Sequence, residues 1–175
     1  MNTIFCSNVF LIVLLVALFP TQILAQNLAF CDHTQPKKLC IDTLKSDSAG
    51  KSATTVKDVA MIMLTHATST ANKINDELTK QLKLATSASG GDVVALVYCS
   101  MYYQDAIKKL ANSKNALNSM NYNAVKDSMS VAMSAVGKCD QDFKKFGKTS
   151  YPPLGYMGDT YIVLCRIVLQ LITRK

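Results

Sequence analysis

The chain has 175 residues, 49% of them hydrophobic and 18% charged, with 19 Lys and Arg against 12 Asp and Glu. That composition excludes disorder and fibrous repeats and suits a single folded domain. Seven Gly, two His and no Trp leave little material for a phosphate loop, a zinc cluster or a histidine-based active site, while six Cys raise the question of compartment.

An uninterrupted apolar run extends from Val9 to Phe19; Pro20 ends it, and Thr21-Gln-Ile-Leu-Ala25 follows with a small residue just before Gln26. The run is shorter than the ~20 residues of a spanning helix. It reads as the h-region and cleavage region of a secretory signal peptide over residues 1–25. The expected product is a secreted, extracellular domain over 26–175, with an N-terminal hairpin over 26–50 and a helical bundle over 51–175. Cys6 leaves with the leader, and Cys31, Cys40, Cys99, Cys139 and Cys165 remain for an oxidising compartment. No Asn-X-Ser/Thr sequon occurs, so solubility does not rest on N-glycans.

Cys31 and Cys40 are close in sequence with Pro36 between them, and a local bridge tying an N-terminal hairpin is the obvious pairing. Next, Val56, Ala60, Met63, Ala67, Ala71, Ile74, Leu78 and Leu82 recur at three- and four-residue steps, with Thr54 or Thr55 as N-cap of a first long helix. Thr86 to Asp92 is a break, with glycine as C-cap and Asp92 as the next N-cap. A second helix carries Val93, Leu96, Val97, Tyr103, Ile107 and Leu110 and extends towards Leu117. Asn115 to Asn123 is the following break. Val125, Met129, Ala132, Val136, Cys139, Phe143 and Phe146 form the seam of a third helix. Gly147 to Gly158 reads as a longer loop, and a fourth helix runs from about Asp159 through Tyr161, Leu164, Cys165, Val168, Leu169 and Ile172.

Strand alternation is absent between these breaks. Four amphipathic helices with short polar connections predict an all-α, disulfide-stabilised, up-down-up-down four-helix bundle with an N-terminal helical hairpin extension. If the second and third helices form an antiparallel hairpin turning near Ser119, Cys99 and Cys139 are equally far from the turn. They then sit at one height, where a disulfide can span the gap. Cys165, mid-way along the apolar face of the last helix, is expected as a buried free thiol.

The residues that carry chemistry are missing. His33 and His66 lie in different elements, and no thiol or carboxylate set stands at metal-ligand spacing, so neither metal nor cofactor is expected. Gly90-Gly91 lacks the Lys and Ser/Thr of a phosphate loop. Glu77 is the only glutamate, and the aspartates do not pair. The lysines behind the net charge of +7 are dispersed, the densest groups being Lys37-Lys38, Lys108-Lys109 and Lys144-Lys145, which suits a solvated surface rather than nucleic acid. Loose retention on acidic polysaccharide is compatible with it. Binding, not catalysis, is the expected activity.

Cys31-Asp-His-Thr-Gln-Pro-Lys-Lys-Leu-Cys40, followed by Ile41-Asp-Thr-Leu-Lys-Ser-Asp47, resembles the opening of the plant invertase and pectin methylesterase inhibitor family. Val59-Ala-Met-Ile-Met-Leu64 is similar to the family's first bundle helix. Cys99 with Tyr103, Ala106 and Leu110 follows, then Tyr122, Met129-Ser-Val-Ala-Met133, Cys139 and Phe143, and the ending Leu164-Cys-Arg-Ile-Val-Leu169. The resemblance spans residues 28–172. It implies disulfides Cys31–Cys40 and Cys99–Cys139. It also implies an inhibitor that forms a one-to-one complex with a carbohydrate-active enzyme of the apoplast and blocks its substrate cleft.

Invertase inhibitors of the family typically carry Pro-Lys-Phe between the second and third bundle helices, where this chain has Ser119-Met-Asn-Tyr-Asn-Ala124, closer to the pollen-allergen-like subgroup. Pectin methylesterase is therefore preferred as the target over acid invertase (β-fructofuranosidase). Helices two to four are the implied contact surface, with Tyr102, Gln104, Lys108, Asn112, Lys126, Asp127 and Ser130 as candidate contact residues. Two rivals belong to other classes. One is a non-inhibitory small-ligand or lipid carrier. The other is a basic membrane-surface protein, which is disfavoured because Tyr161 to Ile172 is needed for the core; no membrane partner is expected of the mature form.

Overall fold

A computed structural model describes residues 28–85, 90–146 and 152–173; residues 1–27, where the expected signal peptide falls, 86–89, 147–151 and 174–175 lie outside them. Short 3-10 turns occur at Phe30–His33 and Ser48–Lys51, around helix α1 (Lys37–Ser46). Four long helices follow: α2 (Val56–Leu84), α3 (Gly90–Asn118), α4 (Tyr122–Lys145) and α5 (Pro152–Ile172).

Each long helix has an identifiable local cause. Thr55 caps α2: its hydroxyl accepts from the Asp58 N–H at 3.1 Å, and the Asp58 carboxylate accepts from the Thr55 N–H at 2.9 Å. This reciprocal box satisfies donors that the first turn leaves unpaired. The Thr55 hydroxyl and the Thr54 N–H, both donating to Asp58, hold its carboxyl below the usual range. Between α3 and α4 the chain needs only three residues. The Asn121 N–H donates to the Ala116 carbonyl at 2.8 Å and the Met120 N–H to that of Leu117 at 3.1 Å, with Met120 at φ 55°. This is a Schellman ending with methionine where glycine is usual. Asn121 then caps α4 by accepting from the Ala124 N–H at 3.2 Å. The break expected over Asn115 to Asn123 is thus mostly helical.

Two other boundaries differ from the sequence reading. α3 begins at Gly90, so Asp92 occupies its first turn instead of capping it; a carboxylate there still opposes the positive end of the helix dipole. The last helix begins at Pro152, about two turns before Asp159. The two prolines mimic a loop in sequence, but proline is tolerated in a first helical turn, where its missing N–H has no partner to lose.

The four long helices close into a ring in which α3 packs between α2 and α4, and α5 packs between α4 and α2. The core is a continuous cluster running from Val59, Met63, Ala67, Ile74 and Leu78 of α2 to Leu164, Val168 and Leu171 of α5. By length and composition the stretch Gly155–Ile172 could cross a membrane. Here its apolar side is consumed by packing, with Tyr161, Leu164, Cys165, Val168 and Leu171 buried. The arm formed by α1 and its flanking turns lies on the α2–α5 side. There the Gln35 N–H donates to Gln170 Oε1 at 2.9 Å, and Asp47 meets His66 Nε2 at 2.9 Å.

Cys31–Cys40 closes the arm, with Cα atoms 5.7 Å apart, and Cys99–Cys139 joins α3 to α4, with Cα atoms 4.7 Å apart. Cys165 is a buried thiol, and burial pushes its pKa up to about 12, which leaves it protonated and inert. One turn earlier, the Tyr161 ring meets Tyr103 edge-on at 6.0 Å. Its buried hydroxyl meets no nitrogen or oxygen partner among the described residues and has only the weakly accepting Cys165 thiol beside it. An unpaired buried hydroxyl costs about 1–3 kcal/mol. Tyr161→Phe is therefore expected to stabilise the fold by about 1 kcal/mol, read as a higher urea midpoint with an unchanged slope; a lower midpoint would show that the hydroxyl is paired.

Candidate functional site

The outer surface of the α3–α4 hairpin differs from the rest of the bundle because α3 is apolar on two sides. One stripe, through Leu96, Cys99, Tyr103, Ala106 and Leu110, enters the core. The other is exposed and follows the same three- and four-residue spacing: Val94 (40% exposed), Val97 (41%), Tyr98 (45%) and Met101 (56%). The sequence reading placed Val97 on the buried stripe; the structure turns it outward. An apolar stripe of this kind on solvent is the feature that marks interaction surfaces, whereas single exposed apolar residues are ordinary.

A polar and aromatic cluster borders the stripe at the level of the Cys99–Cys139 bridge. Tyr98 stacks on Tyr102, with ring centroids 6.5 Å apart and planes 18° from parallel. Lys138 of α4 stands 5.7 Å from the Tyr102 ring centroid, within cation–π range. The Tyr102 hydroxyl donates to Asp142 Oδ2 at 2.7 Å, and Lys145 pairs with the other carboxylate oxygen. Lys145 first, and Tyr102 second, hold the Asp142 carboxyl below the usual range; Asp142 in turn raises the Tyr102 phenol. The Asp142 side chain is only 6% exposed. It works as a buried fastener that fixes the aromatic pair against α4, so the rings present a set orientation to a partner.

The candidate residues named from sequence do not form one patch. Tyr102 belongs to the cluster, although it is half-buried. Gln104 sits on the opposite flank, where it donates to Ser100 at 3.2 Å and Ser100 donates to Asn75 of α2 at 3.0 Å. Lys108 and Asn112 are exposed further towards the turn, as are Asp127 and Ser130 on α4. Lys126 lines a separate cavity of about 470 Å³ at the turn end, with Met120, Tyr122 and Ile172. Sequence reasoning missed Val94, Met101, Lys138 and Asp142. The stripe was findable, because Val94, Val97, Tyr98 and Met101 already stand at helical spacing. The partnership of Asp142 with Tyr102 depends on the offset between two helices and leaves no local signal.

Among the described residues no group of three His, Cys, Asp or Glu is placed to hold a metal ion. What the site offers is a preorganised apolar and aromatic surface with flanking cations, suited to burial against another macromolecule.

Comparison with known proteins bears on which macromolecule. The family model described as plant invertase/pectin methylesterase inhibitor matches residues 28–171. A pectinesterase inhibitor from Actinidia deliciosa is 28% identical over 142 residues, covering 79% of this chain and 73% of that protein. Two crystal structures of Arabidopsis pectin methylesterase inhibitors, one of them a mutant form, superpose with TM-scores of 0.67 and 0.63. Each is 20% identical to this chain and covers 82% of it, over 92% and 91% of the respective structure. At that identity the superpositions show a shared fold.

Proposed function

We propose that this chain, which belongs to the plant invertase/pectin methylesterase inhibitor family, is an extracellular protein inhibitor of a pectin methylesterase. It would act by one-to-one docking of its α3–α4 face over the enzyme's substrate cleft. The observation that carries the reading is the exposed stripe Val94, Val97, Tyr98 and Met101 beside the fixed Tyr102–Asp142 pair. A rigid helical face loses little conformational entropy on docking, so more of the contact energy appears as affinity. The leader over residues 1–25, cleaved after Ala25, would deliver it to the compartment where such an enzyme works. The turn Ser119 to Tyr122 lacks the Pro-Lys-Phe of invertase inhibitors, which favours the esterase over acid invertase. A carrier role is less well supported, since aromatic and aliphatic side chains from all four long helices fill the interior.

The test is titration of the secreted protein against a plant pectin methylesterase and, separately, an acid invertase. Saturable loss of esterase activity at one-to-one stoichiometry is expected, with the invertase unaffected. Val97→Asp together with Met101→Asp is expected to weaken inhibition by about 30-fold or more, the ~2 kcal/mol scale of an interface hot spot. Folded protein that leaves the esterase fully active would overturn the proposal, and inhibition of invertase alone would move the target to the alternative enzyme.

A further inference from the structure

A second surface feature lies about 18 Å along α3 from Tyr98, on the flank shared with α2. A groove of about 530 Å³ runs between the two helices, with the exposed Ala111 of α3, above the buried Leu110, at its apolar side and Thr65, Thr68 and Asn72 of α2 opposite. Lys73 and Asp76 of α2 and Lys114 of α3 complete its rim. The Thr65 and Thr68 hydroxyls donate to the Met61 and Leu64 carbonyls at 2.9 and 2.8 Å, so they offer the groove acceptor oxygens and methyl groups. By contrast Ser69, Asn72, Lys73, Asp76 and Lys114 make no side-chain hydrogen bond or ion pair among the described residues. Four lysines elsewhere face a carboxylate, namely Lys37, Lys38, Lys80 and Lys145; what sets Lys73 and Lys114 apart from the other solvated lysines is that they share one groove.

We propose that the α2–α3 groove binds a uronate-bearing oligosaccharide, with Lys73 and Lys114 on the carboxylates and Asn72, Ser69 and Asp76 on the hydroxyls. The groove combines a narrow apolar floor for a sugar's C–H face, made by Ala111 and the threonine methyl groups, with many adaptable donors and acceptors on the rim. The two lysines, on opposite helices, select for negative charge. Asp76 adds a carboxylate that can accept sugar hydroxyls on the same rim. Ammonium groups hold carboxylates as point charges, whereas the forked recognition of phosphate that arginine provides is absent from this rim. The site is separate from the inhibitory face and does not depend on it. It would keep the protein on acidic wall polysaccharide while the α3–α4 face stays open.

The experiment is calorimetric or NMR titration of the secreted protein, at physiological ionic strength, with three oligosaccharides of equal length: a galacturonate, its methyl ester and a neutral glucan. The galacturonate is expected to bind at least about tenfold more tightly than the other two, with shifts confined to α2 and α3 around Asn72 and Lys114. Lys73→Ala with Lys114→Ala is expected to lower that affinity by at least about tenfold and to leave esterase inhibition unchanged. Lys37→Ala with Lys38→Ala removes the same charge from the arm and is expected to have little effect. Equal binding of ester and acid, or equal losses in the two double variants, would overturn the proposal, the second by showing diffuse attraction to a basic protein. Because inhibition is read on the same variants, failure of this site and failure of the inhibitory reading are told apart.

Discussion

Replacing Cys99 and Cys139 together by alanine is expected to cost the folded protein about 4 kcal/mol, from the entropy released to an unfolded chain no longer closed by a long loop. The two cysteines are 40 residues apart in sequence. Removing Cys31–Cys40, with a separation of 9, is expected to cost about 2.5 kcal/mol on the same chain-entropy basis. For a domain of this size the larger loss lowers the melting temperature by about 8–16 °C. Urea unfolding of both double variants, under conditions where the remaining bridge stays oxidised, checks the ordering. Equal losses would show that loop entropy is not what the bridges contribute. Function should follow the same bridge. Tyr98, Tyr102 and Lys138 all lie within one turn of Cys99 or Cys139, so the hairpin variant is expected to lose inhibition as the exposed stripe loosens. The arm variant is expected to keep it.

That bridge also illustrates what the sequence made legible. Cys99 and Cys139 are equidistant from a turn near Ser119, and a helical hairpin with a constant rise brings such positions to one level. The apolar seams of α2 and α4 were equally readable, because each buries one stripe and exposes the rest to solvent. α3 misleads for the opposite reason. Its first half is apolar on both sides, and periodicity alone cannot say which stripe faces the core, so Val97 is read inward although it is 41% exposed. The start of α5 fails for a different cause, since Pro152-Pro153 gives the same signal in a loop and in a first helical turn. The site suffers most. Tyr102, Gln104 and Lys108 lie within two turns of one helix, yet Tyr102 faces α4 and Gln104 faces α2. Which flank a residue occupies is a property of the neighbouring helices, and only tertiary structure supplies it.

The arm gives the second large expected effect, through a single methyl group. Gly50, in the 3-10 turn after α1, is buried directly against the backbone of Leu44. A Cβ at position 50 would stand 1.9 Å from the Leu44 carbonyl oxygen and 2.8 Å from its carbonyl carbon. Neither atom can rotate away as a side-chain tip would, so Gly50→Ala must separate the turn from α1. Overpacking of this kind costs about 3 kcal/mol when the obstacle cannot yield. The loss should be local at first. Asp47, three residues earlier, links the turn to α2 through His66 and orders it by accepting from the Ala49 N–H at 2.8 Å. Displacing Gly50 strains both contacts, while the ring of α2 to α5 keeps its own core. Hydrogen exchange is expected to show amides of residues 37–53 exchanging at least about tenfold faster, with protection in α3 and α4 retained. Esterase inhibition should change by less than about threefold, because the arm lies on the α2–α5 side and the exposed stripe on α3. Unchanged exchange in the arm would mean that the turn can shift without cost. Loss of inhibition with α3 and α4 still protected would place the arm in the enzyme contact and move the docking surface to the other side of the bundle.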